Sequence, residues 1–300
     1  MLCARAGVVK LLYLIEFPRE RSGVRSMFVG FLTGGQLGDL QKSLRWAQEK
    51  QFKSISVATS PGNAFFDVDS ILSNPKPTKD ILKDSAVIVS GVGFYGNPIS
   101  PDSRTREQHR KFFIDLIDVA YRLDIMVVTG WVGMYSEKVD ENIREIAQVW
   151  PEIVHKAEDR NIKIAIENCA GNIAYRPDIW ERMFEVLPSR NFGLEFDPSH
   201  LICQMIDPIS IADEFGSRIH HTHMKDTQIL WGKVKRNGIR SGGWCPFRLP
   251  GFGDLRWADF ISVLKKHNYD NALSIEHEDP FFKYEEGLIL ARKFLEQFVP

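Results

Sequence analysis

The stretch "IKIAIEN", residues 162–168, sets three isoleucines at alternate positions and ends on a carboxylate and an amide. Successive side chains of a β-strand point to opposite faces. Ile162, Ile164 and Ile166 therefore share one face, and Glu167 takes the other at the strand's C-terminal end. An apolar row backed by helices, with an acid at the tip, suits a strand of a parallel barrel whose chemistry sits at its mouth. The pattern recurs downstream. In "FGLEFD" (192–197), Leu194 and Phe196 face out and turn Glu195 and Asp197 inward. In "RIHHTH" (218–223), His221 and His223 share the inner face, Lys225 lies just beyond, and His220 points toward the helices. In "NALSIEH" (271–277), Leu273 and Ile275 face out and Glu276 faces in.

The same rhythm extends upstream. Strand-like runs occur at "MFVGFL" (27–32), "SISVAT" (54–59), "AVIVSGV" (86–92) and "IMVVTGW" (125–131). Between the runs, apolar residues keep helical spacing: Leu37, Leu40, Leu44 and Ala47, then Phe112, Phe113, Leu116, Val119, Ala120 and Leu123. A further helix carries Ile143, Ile146 and Trp150, and Pro151 is expected to break or restart it. The last helix gathers Leu288, Ala291, Leu295 and Phe298. Eight strands alternating with helices, with no break in composition, predict an α/β chain folded as one (β/α)8 barrel over residues 27–300. The long connections at 60–85 and 226–255 are expected to act as lids. Residues 1–26 read as an extension, expected to be poorly ordered, ahead of a natural start at Met27; an arginine-bearing presequence is the alternative.

A chain of 300 residues with 44% hydrophobic content can bury a large core. Its formal net charge of -1 argues against nucleic acid or an anionic membrane as partner. Cys3, Cys169, Cys203 and Cys245 form no C-x-x-C pair, which suits free thiols in a reducing, cytoplasmic setting.

Glu167, Asp197, His223 and Glu276 thus end separate strands at one mouth. Gathering such carboxylates without a cation is severely unfavourable. A divalent metal resolves the repulsion, and three oxygens with one imidazole suit Mn²⁺, with Mg²⁺, Co²⁺ or Zn²⁺ as alternatives. His221 and Lys225 are expected to line the same cavity, His221 as either a support or a substrate contact. Glu195 has the alternative of pairing within the barrel core. Tyr95 and Trp131 are aromatic candidates to stack on a ligand ring, as is Trp244.

At these residues the chain resembles the sugar phosphate isomerase/epimerase superfamily, the xylose-isomerase-like TIM barrels. The matching segments are "IAIENC", "FDPSH", "HHTHMKD", "GFGDLRW" and "SIEHED", in family order over about the last 140 residues. "GFYGNP" (93–98), with Tyr95 and Asn97, resembles the family's substrate loop. The resemblance implies metal ligands at Glu167, Asp197, His223 and Glu276, and a His200 that touches metal-bound water or substrate. It implies acid and base roles for Glu167 and Glu276 on opposite faces of a ketose, with a metal-stabilised enediolate between the two proton transfers. Family 3-epimerases carry an arginine shortly after the metal histidine, whereas this chain reads "MKDTQIL". The expected activity is therefore a metal-dependent isomerase or epimerase, with a lyase on a keto-sugar, 3-keto-glycoside or keto-inositol as the alternative. An endonuclease of this fold needs more histidines and a basic face, and a non-catalytic sugar-binding barrel is the remaining reading. A homo-oligomer is compatible by analogy.

Overall fold

The structure is a computed structural model, and it describes residues 26–299. The expected extension at 1–26 falls almost wholly outside those residues. In chain order the elements are β1 (Phe28–Thr33), α1 (Leu40–Glu49), β2 (Ser54–Ala58), α2 (Val68–Ser73), α3 (Lys76–Lys83), β3 (Ile88–Phe94), α4 (Ser103–Arg122), β4 (Val127–Gly130), α5 (Val139–Asp159) and β5 (Lys163–Glu167). They continue with α6 (Pro177–Val186), β6 (Phe192–Phe196), α7 (Pro198–Ile202), α8 (Pro208–Phe215), β7 (Ile219–Met224), β8 (Asp226–Thr227), α9 (Trp231–Asn237), β9 (Phe247–Arg248), α10 (Trp257–Lys266), β10 (Ala272–Ile275) and α11 (Tyr284–Leu295).

Eight parallel strands close into a barrel in the order β1-β10-β7-β6-β5-β4-β3-β2. The outward isoleucines, leucines and phenylalanines are buried under the helices: Ile164, Ile166, Leu194, Phe196, Leu273 and Ile275 are all fully covered. Closing the barrel removes every strand edge and brings the strand tips to one mouth.

The interior is small and polar, with Ser54, Ser56, Thr129 and Ser274 fully buried along with Ala165. Gly30 belongs to this set, since a Cβ there would come within 2.1 Å of Ser54 Oγ. These residues leave room for larger side chains from β6 and β7. Two register irregularities help place them. One, between Ile55 and Ser56 on β2, shifts the pairing with β3 past Ser90, whose Oγ lies 3.4 Å from His221 Nε2. The other shifts β6 against β7 between Leu194 and Glu195, past His220. His220, expected among the helices, instead lies against Gly193, where a Cβ would come within 2.5 Å of its ring.

Pro151 does not break α5, which runs unbroken from Val139 to Asp159. The proline removes one backbone donor, but Trp150, Ile153, Val154 and Ala157 keep one continuous buried face, and Trp150 Nε1 donates to Val132 O at 3.0 Å. Both long connections contain short elements of their own: α2 and α3 in the first, and α9 with the β8–β9 ladder in the second.

Candidate metal centre at the barrel mouth

Asp197 shows how the backbone aims a side chain. Asn168, immediately after β5, grips both sides of the Asp197 peptide: its Oδ1 accepts from Asp197 N at 2.7 Å, and its Nδ2 donates to Asp197 O at 2.8 Å. Asp197 then caps α7, with Oδ1 accepting from Ser199 N at 2.8 Å. Its Oδ2 is buried and makes no hydrogen bond, and its close neighbours are the Lys225 ammonium at 3.1 Å and His200 Nε2 at 3.5 Å. A desolvated carboxylate oxygen needs positive charge beside it, and here Lys225 supplies it.

Glu167 is held from the side. Trp131 Nε1 donates to its Oε2 at 2.6 Å, and its Oε1 lies 2.9 Å from His223 Nδ1. The same Nδ1 lies 3.1 Å from Glu276 Oε2. Among the described residues, Glu167, Asp197, His223 and Glu276 each offer a ligand atom, and these atoms all lie within 4.8 Å of one another. Three hard oxygens and one imidazole fit a divalent cation.

The electrostatics express the same crowding. Burial pushes the Glu167 carboxyl up, and repulsion from Glu276 adds to the rise against the opposing pull of His223. Burial acts on Glu276 too, yet the His223 and Lys225 cations hold it well below the usual carboxylate range. For His223, the Glu195 and Glu276 carboxylates overcome the cost of burial and hold the imidazole well above its ordinary value. Lys225 is likewise kept charged despite burial, chiefly by Asp197 and Glu276.

Lys225 forms the second half of the mouth. Its Nζ donates to Glu276 Oε2 at 2.6 Å and Glu278 Oε2 at 2.9 Å, and lies 3.1 Å from Asp197 Oδ2 and 3.4 Å from His200 Nε2. The centroid of the Phe247 ring lies 4.6 Å from it, so β9 of the 226–255 connection reaches the site. His200 is 3.5 Å from Asp197 Oδ2. Glu278 was not anticipated from the sequence, because it follows β10 in a loop where strand parity says nothing.

Other expected residues fall into place differently. Tyr95 and Trp131 meet edge to face with ring centroids 6.0 Å apart, and the Tyr95 hydroxyl donates to Glu195 Oε2 at 3.1 Å. Asn97, expected to contact substrate, uses its amide to clamp the next loop: Nδ2 donates to Met134 O at 2.7 Å, and Oδ1 accepts from Met134 N at 3.0 Å. His221 is fully buried against Glu195, Nδ1 to Oε1 2.9 Å. Trp244 is buried inside the lid, where Nε1 donates to Ile239 O at 2.6 Å.

The matched segments "HHTHMKD" and "GFGDLRW" prove to be two halves of one structure. Asp226 accepts from the backbone N–H groups of Gly251, Gly253 and Leu255 at 3.2, 3.1 and 3.1 Å, and from Trp257 Nε1 at 2.8 Å. A Cβ at Gly253 would come within 2.3 Å of Asp226 Oδ1, so only glycine allows the loop to wrap the carboxylate.

Compared with known proteins, residues 44–297 match the model of the xylose isomerase-like TIM barrel family. The chain belongs to that family. Among curated relatives, the uncharacterized protein YfiH of Bacillus subtilis is 33% identical over 270 residues, covering 78% of this chain and 86% of its own. An inosose dehydratase of Clostridium beijerinckii is 28% identical over 154 residues, covering 47% of this chain and 49% of its own length. Solved structures with the same fold include a D-tagatose 3-epimerase-like protein (TM-score 0.69, 21% identity, 91% of this chain and 97% of that one). Another is the IOLI protein with a bound zinc atom (TM-score 0.70, 16% identity, 91% and 98%).

Proposed function

We propose that this chain is a divalent-metal-dependent isomerase or epimerase that moves a proton next to the carbonyl of a sugar or cyclitol. The observation that carries the reading is the convergence of Glu167, Asp197, His223 and Glu276, four ligand atoms within 4.8 Å. These four residues would hold the ion. When bound, the ion supplies positive charge against the negative charge that builds on substrate oxygens as the proton leaves, an effect of several kcal/mol.

The protein's own groups then divide the work. Glu167 stands on β5 and Glu276 just beyond β10, and β6 and β7 separate those strands around the barrel. Their carboxylates reach one space from two sides, so one is placed to remove the proton and the other to return it. Positioned acid–base groups of this kind contribute ~10²–10⁴-fold. Trp131 fixes Glu167, and Lys225 fixes Glu276. The sequence lacks the arginine that the family's 3-epimerases carry shortly after the metal histidine, and the cation at this mouth is instead Lys225, with Glu278 beside it.

That same ammonium supports a lyase as the second reading. Elimination starts with the same proton abstraction and expels an oxygen leaving group, which a neighbouring cation assists. Inosose dehydratases stand among the curated relatives. The test is incubation of ketoses and a keto-inositol in D₂O with and without Mn²⁺. Metal-dependent deuterium uptake at unchanged skeleton mass supports isomerisation or epimerisation. Loss of water or release of a glycone supports the lyase. No metal-dependent exchange with any substrate sinks both.

A further inference from the structure

Beneath the mouth lies a second buried group that the proposed reaction does not use: Glu195, His221 and His223, whose ligand-type atoms also lie within 4.8 Å of one another. All three side chains are fully buried. Glu195 Oε1 is hydrogen-bonded to His221 Nδ1 at 2.9 Å, and lies 3.0 Å from His223 Nε2 in a charge contact without hydrogen-bond alignment. Glu195 Oε2 takes the Tyr95 hydroxyl at 3.1 Å, and Tyr95 is itself 3.2 Å from Thr129 Oγ1. His221 Nε2 lies 3.4 Å from Ser90 Oγ, and that hydroxyl donates to Ile55 O. The carboxylate is thus tied to β2, β3, β4 and β7 as well as to its own strand.

His223 is the junction between the two groups. Its Nδ1 faces Glu167 and Glu276, and its Nε2 faces Glu195. An imidazole that serves a metal through one nitrogen must place the proton of the other, and a carboxylate is a common acceptor that fixes both ring orientation and tautomer. A fully buried carboxylate is an expensive way to fill a barrel, and an apolar residue would fill the space with less penalty. Its presence calls for a task that an apolar side chain cannot perform.

We propose that Glu195 is a positioning residue whose buried carboxylate, 3.0 Å from His223 Nε2, holds that edge of the ring by charge and so turns Nδ1 toward the metal site, with His221 and Tyr95 holding Glu195 in place. The proposal rests on the proposed metal-dependent function. It differs from a merely structural role because it demands that metal affinity and ligand field depend on this carboxylate even when the fold does not.

The test uses the full chain, first stripped of metal. Mn²⁺ binding is measured by calorimetry, and bound Co²⁺ by its visible absorption, in the wild type, Glu195→Gln and Tyr95→Phe, with thermal melts of the metal-free proteins alongside. Glu195→Gln should weaken Mn²⁺ by roughly 10–100-fold and shift the Co²⁺ bands at saturation, while its metal-free melt stays close to wild type. Tyr95→Phe should weaken Mn²⁺ less, since it removes only one support of Glu195. Equal Mn²⁺ affinity and identical Co²⁺ spectra in wild type and Glu195→Gln would overturn the proposal and leave the proposed function standing. Two ions per wild-type chain and one in Glu195→Gln would also overturn it, in favour of a second cation at Glu195, His221 and His223. A wild type that binds neither ion would remove the proposed function, and the role of Glu195 with it.

Discussion

Asp197 divides its two oxygens between the chain and the site, and that division makes it separable by mutation. In Asp197→Asn the amide oxygen still accepts the Ser199 N–H that caps α7, but the buried negative oxygen is gone. The expected result is a loss of Mn²⁺ affinity of at least roughly tenfold, with a lower metal-free melting temperature because buried Lys225 loses the charge 3.1 Å away. An affinity equal to wild type would show that this oxygen does not meet the metal ion. His220 offers a different kind of check. Burial, with Lys163 nearby, pushes its imidazole down to about 4. The unfolded chain takes up that proton near pH 6.5, so between 6.5 and 4 the unfolded state binds more protons than the folded one. Stability should therefore fall as pH drops through that window, by at most about 1.4 kcal/mol per pH unit from this group, and fall no further below it. His220→Gln should flatten that slope in urea titrations at pH 4.5, 5.5 and 6.5. An unchanged slope would show that His220 is not the source.

At the scale of elements, the inward acids were legible because strands have period two and helices shield the outer face. Ile164, Ile166, Leu194, Phe196, Leu273 and Ile275 announce the outside, and Glu167, Asp197 and Glu276 follow by alternation. Two kinds of feature were not legible. The irregularity that passes His220 reverses the parity of one residue, and nothing in "RIHHTH" marks it. Asn97 and Trp244 are polar or aromatic residues in loops, where no periodicity says whether a side chain serves a ligand or the loop itself. Pro151 misled for the opposite reason: a strong local breaker was outweighed by a long buried face. Asp226 carries the testable case. One carboxylate accepts from three backbone N–H groups of the 251–255 turn and from the Trp257 indole, bonds that are individually worth about 1.5–3 kcal/mol when the acceptor is charged. Asp226→Asn should raise amide exchange in residues 249–257 by at least roughly tenfold while leaving β5 and β6 protected. Exchange that rises across the whole barrel would instead make Asp226 a determinant of global stability.

For the whole molecule, the eight strands close without an edge, and the site sits where four of them end. A cation held there would link separate staves of the barrel and so oppose unfolding as a whole. With free Mn²⁺ at 100 times its dissociation constant, linkage adds about 2.7 kcal/mol, which for a chain of this size raises the melting temperature by roughly 5–10 °C over the protein in EDTA. A melting temperature indifferent to both would contradict a metal bound across strands. The barrel was readable from sequence at this scale because its rhythm repeats along the chain. The lid was not, since α9 and the β8–β9 ladder are short and their residues are set by contacts such as Phe247 under Lys225 rather than by period.

The small lining of the barrel sets a limit on how this protein can be made hardier. A Cβ at Gly91 would meet Thr129, the His221 ring and Ser56 at 3.4 to 3.6 Å, and the usual recipe for heat resistance would swap such positions for branched aliphatics. Added bulk there would lift His221 and, through Glu195, tilt His223 away from its partners. A thermostabilised descendant that keeps its function would then carry its reinforcements outside the staves, among the helices, and leave the hollow centre sparse.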